Sequence, residues 1–547
     1  MNGQRARDPS SGVLIVGAGP TGLTLACALH QAHVPFAIVE RRPTRASDSK
    51  ALGINLLSQY SFELMGLGGV LGRTGQHPSR MNIYWQDRRL NAVDFRHLQA
   101  PVQSFITQPQ WQTEHELENV LTRRGVQVRR GVELVDLAET TTGVSATLRS
   151  GSEARQEQYR FVVGCDGKAS RVREHLGISL RGVDYPSHFV LGDFELSSKR
   201  LRRGEVHYFV YEDTFFIFVP LAEGRWRVVV KHDGPCPEGP PPASLIPELV
   251  ESRFGERMFQ GEAAWLSRAP FYLRVANALG NERLFLAGDA AHLFSPIGGT
   301  GMNTGMNDAC NLAWKLACVH HGHARGAALL KSYGQERLEE IRRTAALTDL
   351  STRLITRQER DPTLVVPYLP TLRNRHALKR DLPLQHSGLA VSYGPSLAIS
   401  GEIPGGGWTQ PGRMLLGLGE LRELLAAAGR PCGACDLLVV ALAEPRRDVA
   451  GLRELARELL GLQAEYGPLC RAMVLTSEEK ALPVCPSWLA VPSTSRLERT
   501  LRLPSGAVCL VRPDGVVAWG GSLSQLDGLR PFLASMLGRE TDAQAVA

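Results

Sequence analysis

The stretch Ser11 to Arg42, SGVLIVGAGPTGLTLACALHQAHVPFAIVERR, constrains this chain more than any other. The apolar run Val13 to Val16 reads as a buried parallel strand. It leads straight into Gly17-Ala18-Gly19-Pro20-Thr21-Gly22, the G-x-G-x-x-G spacing, and Thr24 to Ala32 continue as a helix of small and apolar residues. A second strand, Phe36 to Val39, ends at Glu40 and Arg41, with Glu40 eighteen residues after Gly22. Gly17 permits a tight turn, Gly19 lets backbone approach a pyrophosphate, and Gly22 lets helix and strand pack closely. The helix N-terminus offers unpaired N–H groups and partial positive charge to phosphates. Glu40 can accept hydrogen bonds from a ribose diol. G-x-G-x-x-G alone also occurs in glycine-rich turns that hold nothing. Strand, glycines, helix, strand and acid in register point instead to a dinucleotide site.

The chain is 547 residues long and 43% hydrophobic, enough for two or three domains. A net charge of +7 without a long Lys/Arg block argues against nucleic-acid binding. No run of eighteen apolar residues is free of glycine or charge, so no membrane span is expected. The first ten residues are polar, without an apolar signal core, and the ten cysteines are scattered. Both suit a reducing cytoplasm better than a disulfide scaffold.

Further along, Lys50 to Gly68 reads as a loop and a helix ending at glycine, and Gln108 to Arg124 as a helix closing at Gly125. Val126 to Arg130, Val132 to Leu137 and Ser145 to Leu148 read as short strands of an antiparallel insert. Tyr159 to Val163 is a further buried strand that delivers Asp166-Gly167, either an ordinary turn or a site on the same sheet edge. Tyr185 to Val230 alternates aromatic and β-branched residues and reads as a separate antiparallel platform. His207, Phe209 and Tyr211 share one of its faces and Tyr208 the other, and the alternation does not say which looks inward. Leu284 to Ala287 is a strand ending at Gly288-Asp289; Pro296-Ile297-Gly298-Gly299-Thr300-Gly301 then leads into a helix from about Met302. Asp289 can hold a ribityl hydroxyl, and the loop and helix N-terminus can present N–H groups to an anionic ring edge. Beyond Tyr333 the text is helical and charged, then Pro/Gly-rich, then alternates helix and strand as a separate αβ unit. In it, Met414 to Gly429 reads as a helix, and Glu444 to Arg447 as a turn without cysteine.

Gly17–Gly22, Asp166-Gly167 and Gly288-Asp289, in this order and with GMN–DA–NLAWKLA following, resemble the FAD-dependent aromatic hydroxylases of the para-hydroxybenzoate hydroxylase family, class A flavoprotein monooxygenases. The resemblance spans about Val13 to Tyr333. Leu510-Val511-Arg512-Pro513-Asp514-Gly515 is similar to the thioredoxin-like appendage of the family's phenol and polyketide hydroxylases. It implies an α/β protein: a Rossmann-like FAD-binding domain (1–75, 102–178 and 280–400, with trailing helices), an antiparallel-sheet substrate domain (76–101 and 179–279) and a thioredoxin-like domain (401–547). It also implies that Glu40 binds the adenosine ribose, Gln110 approaches the flavin and its ribityl chain, and Asp166 serves FAD and NAD(P)H. Asp289 would bind the ribityl region, and Pro296 to Asn303, including Gly298, Gly299, Gly301 and Met302, would flank the isoalloxazine. The chain departs from the pattern at Lys50-Ala51, where relatives commonly carry Arg before Ala; lysine keeps the charge and loses the planar fork.

The chemistry implied is reduction of FAD by NAD(P)H, addition of O2 to give a flavin hydroperoxide, and transfer of its distal oxygen to an electron-rich aromatic ring. The expected partners are a small aromatic substrate and O2, with no metal, in a monomer or homodimer. No catalytic base is assigned: His207, Tyr211 and Pro296 are candidates, and His292, beside Asp289, reads as structural. Two other readings stand beside hydroxylation: a Baeyer–Villiger-type or other oxidation on the same scaffold, and a flavin-binding protein without turnover. Cys432-Gly433-Ala434-Cys435 precedes an apolar strand rather than a helix and reads as idle.

Overall fold

Val13–Val16 is buried throughout and pairs in parallel with Phe36–Glu40 on one side and Phe161–Gly164 on the other. A strand buried on both faces needs this all-apolar sequence rather than an alternating one. In the computed structural model, residues 12–538 are described except 46–48, 50, 99, 296–297, 326–327, 357–382, 407–408, 445–447, 477–487, 493, 495–496 and 498–499. The readings of Lys50, Pro296 and the Pro445–Arg447 turn lie outside the described residues.

Leu284–Leu286 and Arg129–Arg130 complete a five-stranded parallel sheet in the order Leu284–Leu286, Phe161–Gly164, Val13–Val16, Phe36–Glu40, Arg129–Arg130. The ends of three neighbouring strands therefore deliver Gly17, Asp166 and Gly288-Asp289 to one edge, where parallel sheets bind their ligands. Of the strand expected at Val126 to Arg130, only Arg129–Arg130 forms, and it joins this sheet beside Glu40. The antiparallel insert begins after Gly131 and is three-stranded: Val132–Glu139, Val144–Ser150 and Glu153–Tyr159. The helices Pro20–Gln31 and Thr300–His320 pack together over the parallel sheet, seventeen residues of the second being buried.

An eight-stranded sheet runs in the order His292–Leu293, Phe259–Ala276, Leu180–Leu196, Arg225–Asp233, Phe215–Pro220, Glu205–Val210, Arg80–Trp85, Arg88–Asp94. It departs from the antiparallel expectation once: Glu205–Val210 and Arg80–Trp85 run parallel. No hairpin links these two, so nothing forces them to reverse. The helix Leu245–Phe254 covers the sheet face carrying Phe209, Tyr211, Phe216, Phe218 and Trp226. The opposite face looks toward the parallel sheet.

A six-stranded sheet holds Leu437–Leu442, Cys470–Thr476 and Leu489–Pro492 in parallel and Ala507–Val511 with Val517–Ser522 as an antiparallel hairpin. With the helices Val449–Tyr466 and Leu529–Met536, these five strands follow one another along the chain as β-α-β-β-β-β-α. The helix expected from Met414 covers Leu418–Ala427, after Gly417. Arg512, from the Leu510–Gly515 stretch, reaches out of this unit into buried charge: it donates to Glu336 at 2.8 Å and to Asp514 at 2.6 and 3.0 Å. Glu336, on the helix Ala328–Thr356, also accepts from Lys315 at 3.0 Å and Asn311 at 2.8 Å, both on Thr300–His320. No helix among the described residues is long and apolar enough to cross a membrane.

Candidate active site

A cavity of 780 Å³ runs from the edge of the parallel sheet to the free face of the eight-stranded sheet. Gly17, Gly19, Pro20, Thr21, Glu40 and Arg41 wall one end; Gln110, Asp166 and Asp289 stand along it; Gly298, Gly299, Gly301 and Met302 follow where the glycine-rich loop enters the Thr300–His320 helix. Three expected residues stand behind the wall. A Cβ on Gly22 would lie 2.0 Å from the Gly17 carbonyl oxygen, so Gly22 serves helix–strand contact. The Gly288 amide donates to Asp308 at 3.0 Å and sets the turn that presents Asp289. The Asn303 side chain accepts from the Asn55 amide at 2.9 Å and donates to the carbonyls of Gly53 (2.9 Å) and Gly299 (2.8 Å), pinning two loops of the site together. A second cavity, of 1280 Å³, lies between Ala28, Tyr60 and Trp314 and the C-terminal unit's Arg422 and Cys432; none of the glycine-loop residues lines it.

Glu40 accepts from the Ala18 amide at 2.9 Å and from the Arg42 amide at 3.0 Å. Burial pushes its carboxyl pKa up, but these amides and the Arg42 guanidinium outweigh burial and hold it below the usual range. The charged form persists, ties the glycine turn to the second strand, and borders the cavity. Asp166 carries one oxygen bonded to the Arg171 amide at 2.7 Å; its other oxygen is buried without a partner, and burial raises its pKa. Gln110 donates to Glu114 at 2.9 Å and holds the Ala51 amide at 3.4 Å. Gly299, the N-cap of Thr300–His320, caps nothing with a side chain, and the Thr300 hydroxyl is also an orphan. Unpaired helix-end donors and an orphaned carboxylate oxygen on one cavity are what an extended ligand with phosphates, ribityl hydroxyls and an anionic ring edge would satisfy.

Beneath the Gly288 turn, Asp308 accepts from His292 at 2.7 Å and from Arg337 at 2.7 Å, all three buried. His292 thus sits in the support of the site, off the cavity wall.

At the far end, Phe189, Leu191, Val206, Tyr208, Ile217, Val219 and Val229 present an apolar sheet face to the cavity. Tyr208 is its phenol: the hydroxyl makes no hydrogen bond to a described residue, and burial pushes its pKa to about 12. This corrects two candidates. His207 points the other way, accepting from the Arg202 amide at 3.0 Å and packing near Tyr84 and Trp226. Tyr211 packs edge-on to Phe216 and Phe254 under the Leu245–Phe254 helix. In a period-two strand with both faces buried, alternation separates the sets without saying which meets the cavity.

Two contributors were not anticipated. Arg227, fully buried in the run Arg225-Trp226-Arg227-Val228-Val229-Val230, pairs with Asp193, donates to the Ser49 carbonyl at 2.6 Å and lies 4.0 Å from the Trp265 ring centre. It joins the substrate sheet to the loop before Ala51, and the available signal was an arginine set directly against the apolar run Val228-Val229-Val230. His386 lines the cavity from the short helix 383–387, with no sequence signal around it.

Fold and site together define a flavin-binding oxidoreductase, and the residues present fit FAD. Residues 10–348 match the FAD binding domain family, FAD_binding_3. 6-Methylpretetramide 4-monooxygenase of Streptomyces rimosus is 32% identical over 542 residues, covering 94% of this chain and 91% of that protein. Pentachlorophenol 4-monooxygenase of Sphingobium chlorophenolicum is 33% identical over 336 residues, 59% of this chain and 61% of that protein. CabE, an aromatic hydroxylase from angucycline biosynthesis, matches in structure with a TM-score of 0.69 at 26% identity, over 97% of this chain and 99% of its own. This chain belongs to that family: it is an FAD-dependent aromatic monooxygenase.

Proposed function

We propose that this protein hydroxylates a phenolic or polycyclic aromatic substrate of polyketide type, drawing electrons from NAD(P)H. The carrying observation is the Tyr208 face: an apolar wall of Phe189, Leu191, Val206, Ile217, Val219 and Val229 around one phenol, lining the same cavity as Gly298–Met302. FAD, once reduced, supplies the activation of O2. The chain supplies the rest. The sheet face would exclude water and hold the ring, Tyr208 would donate to a substrate oxygen, and Asp166 and the helix end would hold the cofactor. The balance is one O2, one NAD(P)H, one proton and one ring C–H giving one C–OH, NAD(P)+ and water.

Lys168 and Arg171, beside Asp166 on the cavity, suit the phosphates of a transiently docked NAD(P)H. We read the three units, within the boundaries given above, as flavin, substrate and thioredoxin-like domains, in a cytoplasmic monomer or homodimer. The test is to purify the protein, measure bound FAD, and follow NAD(P)H consumption and product mass with polycyclic phenols. A product with one added phenolic hydroxyl supports the reading. A lactone would replace it with oxygen insertion, and colourless protein that takes up no FAD would end it.

A further inference from the structure

We infer that His386 is the base that receives the phenolic proton of the substrate, an inference that rests on the hydroxylase reading above. Hydroxylation of a phenol proceeds fastest through the phenolate, because the oxygen lone pair then feeds the ring carbon that attacks. A group on the cavity that takes this proton would therefore speed the reaction.

Among the described residues, the titratable side chains that the eight-stranded sheet and the short helix 383–387 bring to the cavity are Tyr208, Tyr272 and His386. The cavity's carboxylates, Glu40, Glu114, Glu133, Asp166 and Asp289, stand on the parallel-sheet unit at strand ends, on the antiparallel insert and on the Gln110–Arg123 helix. Burial raises both tyrosines, Tyr272 further through Asp289, so each is a donor at neutral pH. Lys168 lies 4.6 Å from the Tyr272 ring centre and is itself a cation. Of the three, His386 alone offers a nitrogen lone pair: it lines the cavity from an exposed position, and desolvation there lowers its pKa with no charged group among the described residues offsetting this.

The packing aims the ring. Leu384 and Leu389 sink into a cluster with Leu56, Leu57, Val93 and Phe95, and Met81 and Phe105, at that cluster's margin, also line the cavity. Ser387, fully buried, bonds the Leu384 carbonyl at 2.7 Å and accepts from the Leu389 amide at 3.1 Å. A Cβ at Gly388 would lie 2.6 Å from the Asn55 side-chain nitrogen, so the turn sits tight on its neighbour. With these residues anchored, His386 is left facing the open cavity. Its imidazole makes no hydrogen bond to a described residue.

In the step proposed, the substrate O–H bond breaks and an N–H bond forms on the His386 imidazole. The oxygen's electron pair moves into the ring, and a C–O bond would form between the hydroxylated carbon and one oxygen of O2 as the O–O bond breaks. The other oxygen leaves as water, and NAD(P)H supplies the two electrons by way of FAD, as in the balance above. The ring C–H proton leaves on rearomatisation, and the imidazolium returns its proton to the product oxygen or to solvent.

The experiment compares wild type with His386→Gln and Tyr208→Phe, all loaded with FAD, on a polycyclic phenol and its methyl ether. His386→Gln should keep its FAD and its substrate-independent NAD(P)H oxidation. It should lose about 10²-fold or more in hydroxylation of the phenol, and much less on the ether, which has no proton to give. In wild type kcat/KM should fall on the acid side below pH 6.5, where the imidazole protonates. That limb should persist in Tyr208→Phe and vanish in His386→Gln. A nitrophenol probe should bind as its coloured phenolate to wild type and as neutral phenol to His386→Gln. Equal rates and an equal acid limb in His386→Gln, with wild type making product, would overturn the role of His386 alone. A wild type that hydroxylates no phenol would overturn this inference together with the hydroxylase reading.

Discussion

Two buried charge networks lie side by side on the helix pair Thr300–His320 and Ala328–Thr356, and they hold different things. The Asp308 network places one carboxylate between two basic side chains, Arg337 and His292, and spends its remaining capacity on the Gly288 amide of the flavin turn. The Glu336 network has two acids and two bases, Glu336 and Asp514 with Lys315 and Arg512, and its members come from segments about two hundred residues apart. Glu336 and Arg337 are neighbours in sequence, yet each serves a different network. The first sets the geometry of a turn, and the second fastens the C-terminal unit to the flavin helix. Buried ion pairs add little net stability over apolar packing, but removing one partner strands the other. The two networks should therefore fail in separable ways.

The largest effect is expected from Arg512→Met, which strands Asp514 and leaves Glu336 with Lys315 as its one remaining cation among the described residues. A loss of about 3–5 kcal/mol is expected, seen as a lower denaturant midpoint and faster proteolysis of the C-terminal unit. The folded fraction should still bind FAD, because Asp308, Arg337 and Gly288 are untouched. Loss of flavin in proportion to nothing but this substitution would merge the two networks into one.

Asp308→Asn is the converse. It keeps the side chain's shape but leaves Arg337 buried without its carboxylate, at a cost of about 3 kcal/mol, and loosens the Gly288 turn. FAD affinity should drop at least tenfold by fluorescence titration while the C-terminal unit stays protease-resistant.

Acid separates the networks more gently. Burial raises the Glu336 carboxyl, but Arg512 and Lys315 outweigh it and hold it at about 2, against an ordinary 4.5. A folded-state pKa below the unfolded value means stability that is present above pH 4.5 and lost as pH falls toward 2. Lys315 is lowered by burial to about 8 from 10.5, so between those values the unfolded chain binds the extra proton and this group's contribution rises with pH. Thermal melts should show an acid-labile C-terminal unit with no alkaline weakening from Lys315. In an Arg512→Met background the acid transition should flatten, and an unchanged transition would assign it elsewhere.

What was legible beforehand divides along the same physical line. The glycine turn, its flanking strands and Glu40 are contiguous in sequence, so their roles are written locally. Arg512 and Asp514 were legible as a pattern, but their partner Glu336 was not, since only tertiary packing brings them together. The face of Glu205–Val210 that meets the cavity depends on where the Leu245–Phe254 helix lands, and so His207 and Tyr211 were read on a par with Tyr208's side. His386 is positioned by Leu56, Leu57 and Asn55, residues more than three hundred positions earlier. Tyr208→Phe tests the corrected face. It should cost about 1 kcal/mol in substrate binding, a several-fold rise in KM with FAD content unchanged, whereas His207→Gln should alter stability and leave KM alone.

The smallest effect is expected at Cys432 and Cys435. A working C-x-x-C has a thiol whose pKa is lowered by a helix N-terminus or a cation. Here the pair precedes the strand Leu437–Leu442, and burial pushes the Cys432 thiol up. Cys435 is buried and meets Cys318 of the flavin helix, whose own thiol is raised by that contact and by burial. Both features make poor nucleophiles, and they place Cys435 in the packing between units rather than in redox exchange. The double variant Cys432→Ser/Cys435→Ser should keep substrate-dependent NAD(P)H oxidation and product yield within about twofold. Its melting point should drop only slightly, since a hydroxyl replaces a buried thiol at one contact. If hydroxylation collapsed while FAD and melting point held, the pair would be part of the chemistry, and the C-terminal unit would be more than a fastening for the flavin helix.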